Sequence, residues 1–159
     1  MAAYDFSANE VFEMAIEIEV KGQEFYKKAA ADAQNEDLKK ILLDLADMEV
    51  DHEEIFKQMK TDLKISEKES NVFDPENEAA AYLKALADTK VFYEKEIDTK
   101  SVKEVMKAAI TAEKDSIVFY LGMKNLVPEK KGQDKLDKII SEEMSHIRII
   151  TNKLLPYAK

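Results

Sequence analysis

The chain has 159 residues, which is enough for one domain with a buried core. It contains 24 Lys plus Arg against 33 Asp plus Glu, a formal net charge of -9, with two His and no Cys. This acidity disfavours nucleic acid and anionic membranes as partners, and the lack of Cys excludes disulfides, thiol nucleophiles and cysteine-bound metal clusters. No apolar run approaches the ~18 residues that span a bilayer, and the first residues lack a signal-peptide pattern. We therefore expect a soluble, cytoplasmic protein whose metal ligands, if any, are oxygen and imidazole.

Only three Gly and three Pro among 36% charged residues favour long helices. Apolar side chains recur every three or four residues in four stretches, which is typical of amphipathic helices. Capping-box patterns precede the first and third stretches, at Ser7 with Glu10 and at Ser101 with Glu104. A turn containing Gly132 is predicted before the fourth. The predicted helices cover about 7–33, 38–59, 102–127 and 136–154.

The connections between these helices are short, long and short. They predict a single domain, 1–159, with one helical hairpin at about 7–60, a crossover at about 61–100 and a second hairpin at about 101–158. The crossover contains a further helical pattern from Glu76 to about Ala87, extending at most to Glu96. Two hairpins joined in this way predict an all-α, ferritin-like four-helix bundle. An up-down bundle with an irregular linker is the alternative, but it would not need the helical pattern in the crossover.

Both His residues lie in apolar stripes, and each follows a Glu by three residues. One helical turn separates Glu from His, so both side chains of a pair face the same way. Thirty residues before each of these Glu, another Glu interrupts the stripe of the preceding helix. All of these relations repeat at an offset of 94 residues, so the chain is an internal duplication of a helical hairpin. The candidate metal ligands are Glu19, Glu49, His52, Glu113, Glu143 and His146.

Four carboxylates and two imidazoles in a bundle core would be very costly to bury without a compensating charge. Two divalent ions would neutralise the four carboxylates, and this ligand set is that of the di-iron or di-manganese site of ferritin-like bundles. Oxygen and imidazole ligands permit Fe, Mn, Zn or Co. Glu49 and Glu143 are predicted to bridge the two ions because their helices also supply a His, and Glu19 and Glu113 are predicted to be terminal. A single Glu-x-x-His pair would more often be incidental, but two such pairs at matching positions of the duplicated hairpins favour a dinuclear metal site.

Residues next to the candidate ligands differ in their expected roles. Tyr26 and Tyr120 each follow a candidate ligand Glu by seven residues, so their hydroxyls are predicted to donate hydrogen bonds to ligand carboxylates, with ordinary core packing as the alternative. Glu142 lies next to a candidate ligand but one residue off the apolar stripe. Glu49→Ala and Glu143→Ala are each expected to abolish dinuclear loading, whereas Glu142→Ala is expected to leave it intact.

These segments resemble the rubrerythrin-like branch of the ferritin-like superfamily. The resemblance rests on AIEIE with a following FY, on LADMEVDH, and on AITAE with a later EEMSH. It implies a non-haem di-iron site that reacts with hydrogen peroxide or dioxygen, and a dimer or larger oligomer. Typical members add a rubredoxin-like domain with four Cys, and they carry another Glu three residues after the third-helix ligand, where this chain has Ser116. The Glu-for-His ligand exchange associated with that Glu is therefore not expected here.

The predicted function is that of a di-iron oxidoreductase that reduces peroxide or dioxygen in oxidative-stress defence. Two iron ions are the expected cofactor, with Mn or Zn as alternatives, and a homodimer is the expected assembly. Because the chain has no Cys, the electrons would come from a separate rubredoxin-like protein or flavoprotein. The alternatives are metal binding for iron storage, delivery or sensing, and a structural bundle with a zinc-filled or empty site.

Overall fold

The computed structural model describes residues 8–62, 83, 97–124, 127 and 130–158. These residues form four long helices and contain no strand, which confirms the predicted all-α four-helix bundle. A π-helical turn at Ile150–Leu154 and a 3₁₀ turn at Leu155–Tyr157 follow the last helix. The helices are α1 (Ala8–Ala31), α2 (Glu36–Asp62), α3 (Val102–Lys124) and α4 (Lys130–Ile149).

Side-chain caps set where two of the helices begin. Asn35 Oδ1 accepts hydrogen bonds from the backbone N–H groups of Asp37 and Leu38, at 2.8 and 3.1 Å, and so starts α2. At α3, Ser101 Oγ accepts from the Glu104 N–H at 3.3 Å, as predicted. The reciprocal half of that capping box does not form. The Glu104 carboxylate instead accepts from the Asp98 N–H at 2.9 Å, because the Ser101 N–H already donates to the Asp98 carbonyl.

The start of α4 differs from the prediction. The helix begins at Lys130 rather than near Leu136, so Gly132 lies inside its first turns and not in a loop. A Cβ added at Gly132 would lie 2.6 Å from Cγ1 of the buried Val127, closer than side chains pack. Glycine is therefore needed for close approach rather than for turning. Apolar periodicity missed this start because the first six residues of α4 contribute no apolar side chain.

The end of α4 also departs from a regular helix. The α-helix stops at Ile149, and the wider turn that follows carries the fully buried Ile150 and Leu154. Thr151 Oγ1 donates to the Ile147 carbonyl at 2.8 Å across this change. The predicted crossover helix at 76–87 and the predicted cap at Ser7 lie outside the described residues, apart from Leu83, which is helical and fully buried.

Two apolar clusters fill opposite ends of the bundle. One joins the start of α1 and the end of α2 to the α3–α4 connection, and its largest members are Tyr120, Phe12, Phe56 and Phe119. The other joins the α1–α2 turn to the start of α3 and the π-helical turn, and its largest members include Tyr26, Leu42, Leu45 and Ile150. Each fully buried Leu, Ile or Phe stabilises the fold by about 1.5–3 kcal/mol. This stabilisation offsets the free-energy cost of burying the polar layer that lies between the clusters.

A search of the described helices for a membrane span gave a negative result: none is both long and apolar enough to cross a bilayer.

Candidate metal centre

All six predicted ligands meet in the polar layer between the two apolar clusters. Glu19 comes from α1 and Glu113 from α3, while α2 and α4 each supply a Glu and a His one turn apart. Every one of these residues is at most 2% exposed although each can carry a charge. They are buried because each occupies a core-facing position of an otherwise apolar stripe. The set is Glu19, Glu49, His52, Glu113, Glu143 and His146.

The His52 ring presents Nδ1 to three carboxylates from three helices. This atom lies 2.6 Å from Glu143 Oε1, 3.5 Å from Glu49 Oε2 and 3.6 Å from Glu19 Oε2. The carboxylates of α1, α2 and α4 therefore converge on one side of the ring.

The His146 ring makes the matching arrangement on the other half of the bundle. Its Nδ1 lies 3.3 Å from Glu49 Oε1, 3.3 Å from Glu143 Oε2 and 3.5 Å from Glu113 Oε1. The two imidazoles are stacked, with centroids 5.4 Å apart and planes 16° from parallel. Glu49 and Glu143 thus face both rings.

The side chains divide into two overlapping sets that can each surround an ion. Within each set the ligand atoms lie within 4.8 Å of one another. Ligand atoms about 2.0–2.3 Å from a shared metal lie at most about 4.6 Å apart, so little movement is needed. One set contains Glu19, Glu49, His52 and Glu143, and the other contains Glu49, Glu113, Glu143 and His146.

Buried polar atoms without hydrogen bonds test whether these residues fit metal ions. Within the described part of the chain, five atoms of the cluster have no well-aligned partner, among them Nδ1 of both imidazoles. Each such atom costs about 1–3 kcal/mol if it stays unsatisfied. Coordination to cations between the carboxylates would satisfy them, so the residues fit a dinuclear centre. The five atoms are Glu49 Oε1, His52 Nδ1, Glu113 Oε2, Glu143 Oε1 and His146 Nδ1.

Burial and like-charge repulsion shift the carboxyl groups of the cluster. Burial, with the charge of Glu49, raises the pKa of Glu19 well above its usual range. Burial, with the charges of Glu113 and Glu19, raises the pKa of Glu143 to about 8. Burial also tends to raise the pKa of Glu113, but its close neighbours Glu143 and His146 outweigh this effect and lower that pKa. Some of these carboxyl groups therefore hold protons when no cation is present.

The imidazoles shift in the direction that neutralises the carboxylates. Burial alone would lower the pKa of His146, but the nearby carboxylates of Glu113, Glu143 and Glu49 raise it to about 12. The pKa of His52 is raised as well, against the effect of burial and chiefly by Glu143. Because metal ligands must be deprotonated, cations entering this cluster have to displace its protons.

The sequence model of the Rubrerythrin family matches residues 10–154. The chain belongs to the rubrerythrin family. Its structure is similar to a crystal structure from Thermotoga maritima, described as a ferritin-like diiron-carboxylate protein, with a TM-score of 0.69 and 28% sequence identity. The similarity covers 98% of this chain and 96% of that one. No curated protein sequence matches significantly. The family and the buried cluster together support a di-iron type of protein.

Two tyrosines support ligand carboxylates in this member of the rubrerythrin family. Tyr26 donates its hydroxyl to Glu113 Oε1 at 2.6 Å, and Tyr120 donates to Glu19 Oε1. Each bond crosses between α1 and α3, so each hydroxyl donates to the carboxylate of the other helix. Burial and the charge of Glu19 raise the pKa of Tyr120 well above its usual range, which keeps this hydroxyl a donor.

Glu142 contacts the site although it lies off the apolar stripe, and the expectation that Glu142→Ala leaves dinuclear loading intact stays a prediction. Its Oε2 lies 2.7 Å from Nε2 of His52, on the edge of the ring opposite the carboxylates. Glu142 leaves α4 about 100° around the helix from Glu143, at the edge of the inward face, where its partly exposed side chain reaches His52 on α2. A signal was present in the sequence, since Glu142 precedes one ligand Glu where Met48 precedes the other.

Sequence reasoning also missed a polar pair beside the centre. Gln23 Nε2 donates to Glu53 Oε1 at 2.7 Å and approaches the Glu49 carbonyl at 3.4 Å. The two residues lie one turn beyond Glu19 and Glu49. At an offset of 94 residues the second hairpin has Ile117 and Ile147 instead, so the outer surroundings of the two halves differ.

Ser116 is buried on α3, where typical family members carry an additional Glu. Its hydroxyl donates to the Ala112 carbonyl at 2.9 Å, within its own helix. This position therefore adds no carboxylate to the cluster, which agrees with a symmetric set of six ligands.

Proposed function

We propose that the protein is a non-haem di-iron oxidoreductase that reduces hydrogen peroxide, or dioxygen, in oxidative-stress defence. The observation that carries the proposal is the pair of overlapping ligand sets, which share Glu49 and Glu143 in the interior of a rubrerythrin-family bundle. Glu49 and Glu143 would bridge the two ions, and each ion would have one further Glu and one His.

Two ferrous ions bound there supply the two electrons that, with two protons, convert one hydrogen peroxide into two waters. The protein itself would bind the two ions, orient the carboxylates around them and exclude water from the site. The apolar clusters close both ends of the polar layer, so charges within it interact in a low-dielectric environment. Tyr26 and Tyr120 hold protons at Glu113 and Glu19 and fix the directions of these two carboxylates.

The electron donor belongs to the proposal. The 159 residues contain no Cys and so form no rubredoxin-type iron site themselves. We propose that a separate rubredoxin-like protein or flavoprotein returns the iron to the ferrous state, and that the protein works as a homodimer in the cytoplasm.

The test is an anaerobic stopped-flow experiment on protein loaded with two Fe²⁺ per chain. One equivalent of hydrogen peroxide should oxidise the protein-bound iron faster than it oxidises free Fe²⁺ in the same buffer. Glu49→Ala should remove the fast phase, and Glu24→Ala, at an exposed position of α1, should keep it. Two bound Fe²⁺ that react no faster than free iron would refute the oxidoreductase and support metal binding without turnover.

A further inference from the structure

The two ion positions have the same types of ligand, but their two imidazoles differ in the contacts made at Nε2. Each position has two shared carboxylates, one terminal Glu and one His. Each terminal Glu also accepts a hydrogen bond from one buried tyrosine. The two positions therefore differ in their residue types only through groups beyond this set.

Glu142 supplies such a difference. Its carboxylate lies 2.7 Å from Nε2 of His52, a ring that is 1% exposed, while the Glu142 side chain itself is 41% exposed. Residue 48, which takes this place at the offset of 94 residues, is Met48, whose thioether is only a weak acceptor. In the part of the chain that the structure describes, the charged neighbours of His146 all lie at Nδ1, and no carboxylate lies at Nε2.

The chemistry of imidazole gives this difference a consequence. A histidine that binds a cation through Nδ1 keeps its proton on Nε2. A carboxylate that accepts this N–H fixes the tautomer and the ring orientation and makes Nδ1 a more basic ligand. Glu142 also places an anion near one ion position and not the other. All of these effects favour a cation at the His52 position.

We propose that Glu142 is a positioning residue that makes the His52 position the tighter of the two, so that divalent ions fill it first. The inference rests on the dinuclear site of the proposed function but not on its redox chemistry. It also implies that a half-loaded protein carries its single ion at the Glu19, Glu49, His52 and Glu143 set.

Zinc titration of the full chain tests the order of filling. Zn²⁺ suits oxygen and imidazole ligands and undergoes no redox change. The chain has two histidines, so in ¹⁵N-histidine-labelled protein each ring can be assigned from one His→Asn variant. Below one equivalent of Zn²⁺, the Nδ1 signal of His52 should shift first. His146 shifting first, or both rings shifting together, would overturn the proposal.

Variants at position 142 test the cause. In chelator competition, Glu142→Met should weaken the first zinc-binding step by about 10- to 100-fold. Glu142→Gln keeps an oxygen acceptor without the charge, so it should restore part of the affinity and the His52-first order. Glu24→Met removes a charge from an exposed site and should leave both steps unchanged. Folding of each variant is checked by circular dichroism. A folded Glu142→Met protein with wild-type binding constants would refute the role of Glu142.

The converse variant is Met48→Glu, which places a carboxylate at the matching position of the other half. It should tighten the weaker step and narrow the gap between the two binding constants. An unchanged gap would show that another difference sets the order, and would overturn the proposal.

Failure of this inference and failure of the proposed function are distinguishable. Ordered zinc binding in a protein whose iron reacts slowly with peroxide retains the inference and refutes the oxidoreductase. Rapid peroxide reduction together with simultaneous filling of both positions retains the oxidoreductase and refutes the inference about Glu142.

Discussion

Glu49 and Glu143 each face both imidazole rings, whereas Glu19 and Glu113 each face only one. This difference separates two roles among four glutamates that have the same chemistry and nearly the same burial. In the proposed dinuclear centre a shared carboxylate would serve both ions and lower the repulsion between them, whereas a terminal carboxylate would serve only one.

Removing a shared or a terminal carboxylate should therefore change metal stoichiometry differently. Glu49→Ala should lose dinuclear loading, since both sets lose a ligand, whereas Glu113→Ala should retain one ion at the set that contains His52. Metal per chain, measured by mass spectrometry of desalted protein, checks this. Glu24→Ala should still bind two ions per chain. Equal losses from Glu49→Ala and Glu113→Ala would contradict the assignment of bridging and terminal roles.

At the scale of the helices, the residue at which each helix begins depends on contacts that apolar periodicity does not predict. Asn35 and Ser101 begin α2 and α3 by accepting backbone N–H bonds. At the start of α4, packing is decisive, because Gly132 leaves room for the Val127 side chain. The glycine is thus explained by a neighbour five residues away rather than by its own backbone.

Gly132→Ala tests this explanation. Alanine normally stabilises a helix by about 1 kcal/mol relative to glycine. Here we expect net destabilisation of about 1–3 kcal/mol, because the new Cβ would overlap Val127 Cγ1. Urea unfolding of Gly132→Ala, Val127→Ala and the double variant measures the coupling, and the double variant should be more stable than additivity predicts. Stabilisation by Gly132→Ala alone would show that α4 does not pack against Val127 in this way.

At the scale of the whole molecule, the bundle places one charged layer between two apolar ones. Four carboxyl groups and two imidazoles share protons there when no cation is bound. The folded state then binds protons more tightly than the unfolded chain, so its stability depends on pH.

The metal-free protein should lose stability as pH rises from about 5 to about 8. The pKa of Glu143 is raised to about 8 and that of His146 to about 12. Stabilisation from a group with a raised pKa is complete below the ordinary value and is lost as pH rises through the raised one. The lowered pKa of Glu113 has the opposite effect, because it makes stability fall as pH decreases. This effect occurs below the ordinary value of 4.5 and so outside the range considered.

Calorimetric melting in the presence of a chelator measures this dependence, with Tm falling by roughly 2–4 °C for each kcal/mol lost. Glu143→Gln, which does not titrate, should show a shallower dependence. Metal-loaded protein should gain Tm over metal-free protein as pH rises, because cations bind deprotonated ligands. A metal-free Tm that increases with pH in parallel with the loaded protein would contradict the proton-sharing description.

Much of this molecule could be predicted from its sequence alone. The four helices, the duplication and the residues that meet at the centre follow from apolar periodicity and from Glu-x-x-His spacing. These are properties of single helices, where one turn brings residues three and four apart to the same face. The Glu and His residues that interrupt the apolar stripes are carried into the core with them, so they meet in one polar layer.

Only the tertiary structure decided which groups share partners. The crossed bonds of Tyr26 to Glu113 and of Tyr120 to Glu19, and the contact of Glu142 with His52, all join helices distant in sequence. Such contacts depend on how far apart two helices lie and how each is rotated about its axis. Periodicity specifies the inward face of a helix, but not which residue at the edge of that face reaches its neighbour.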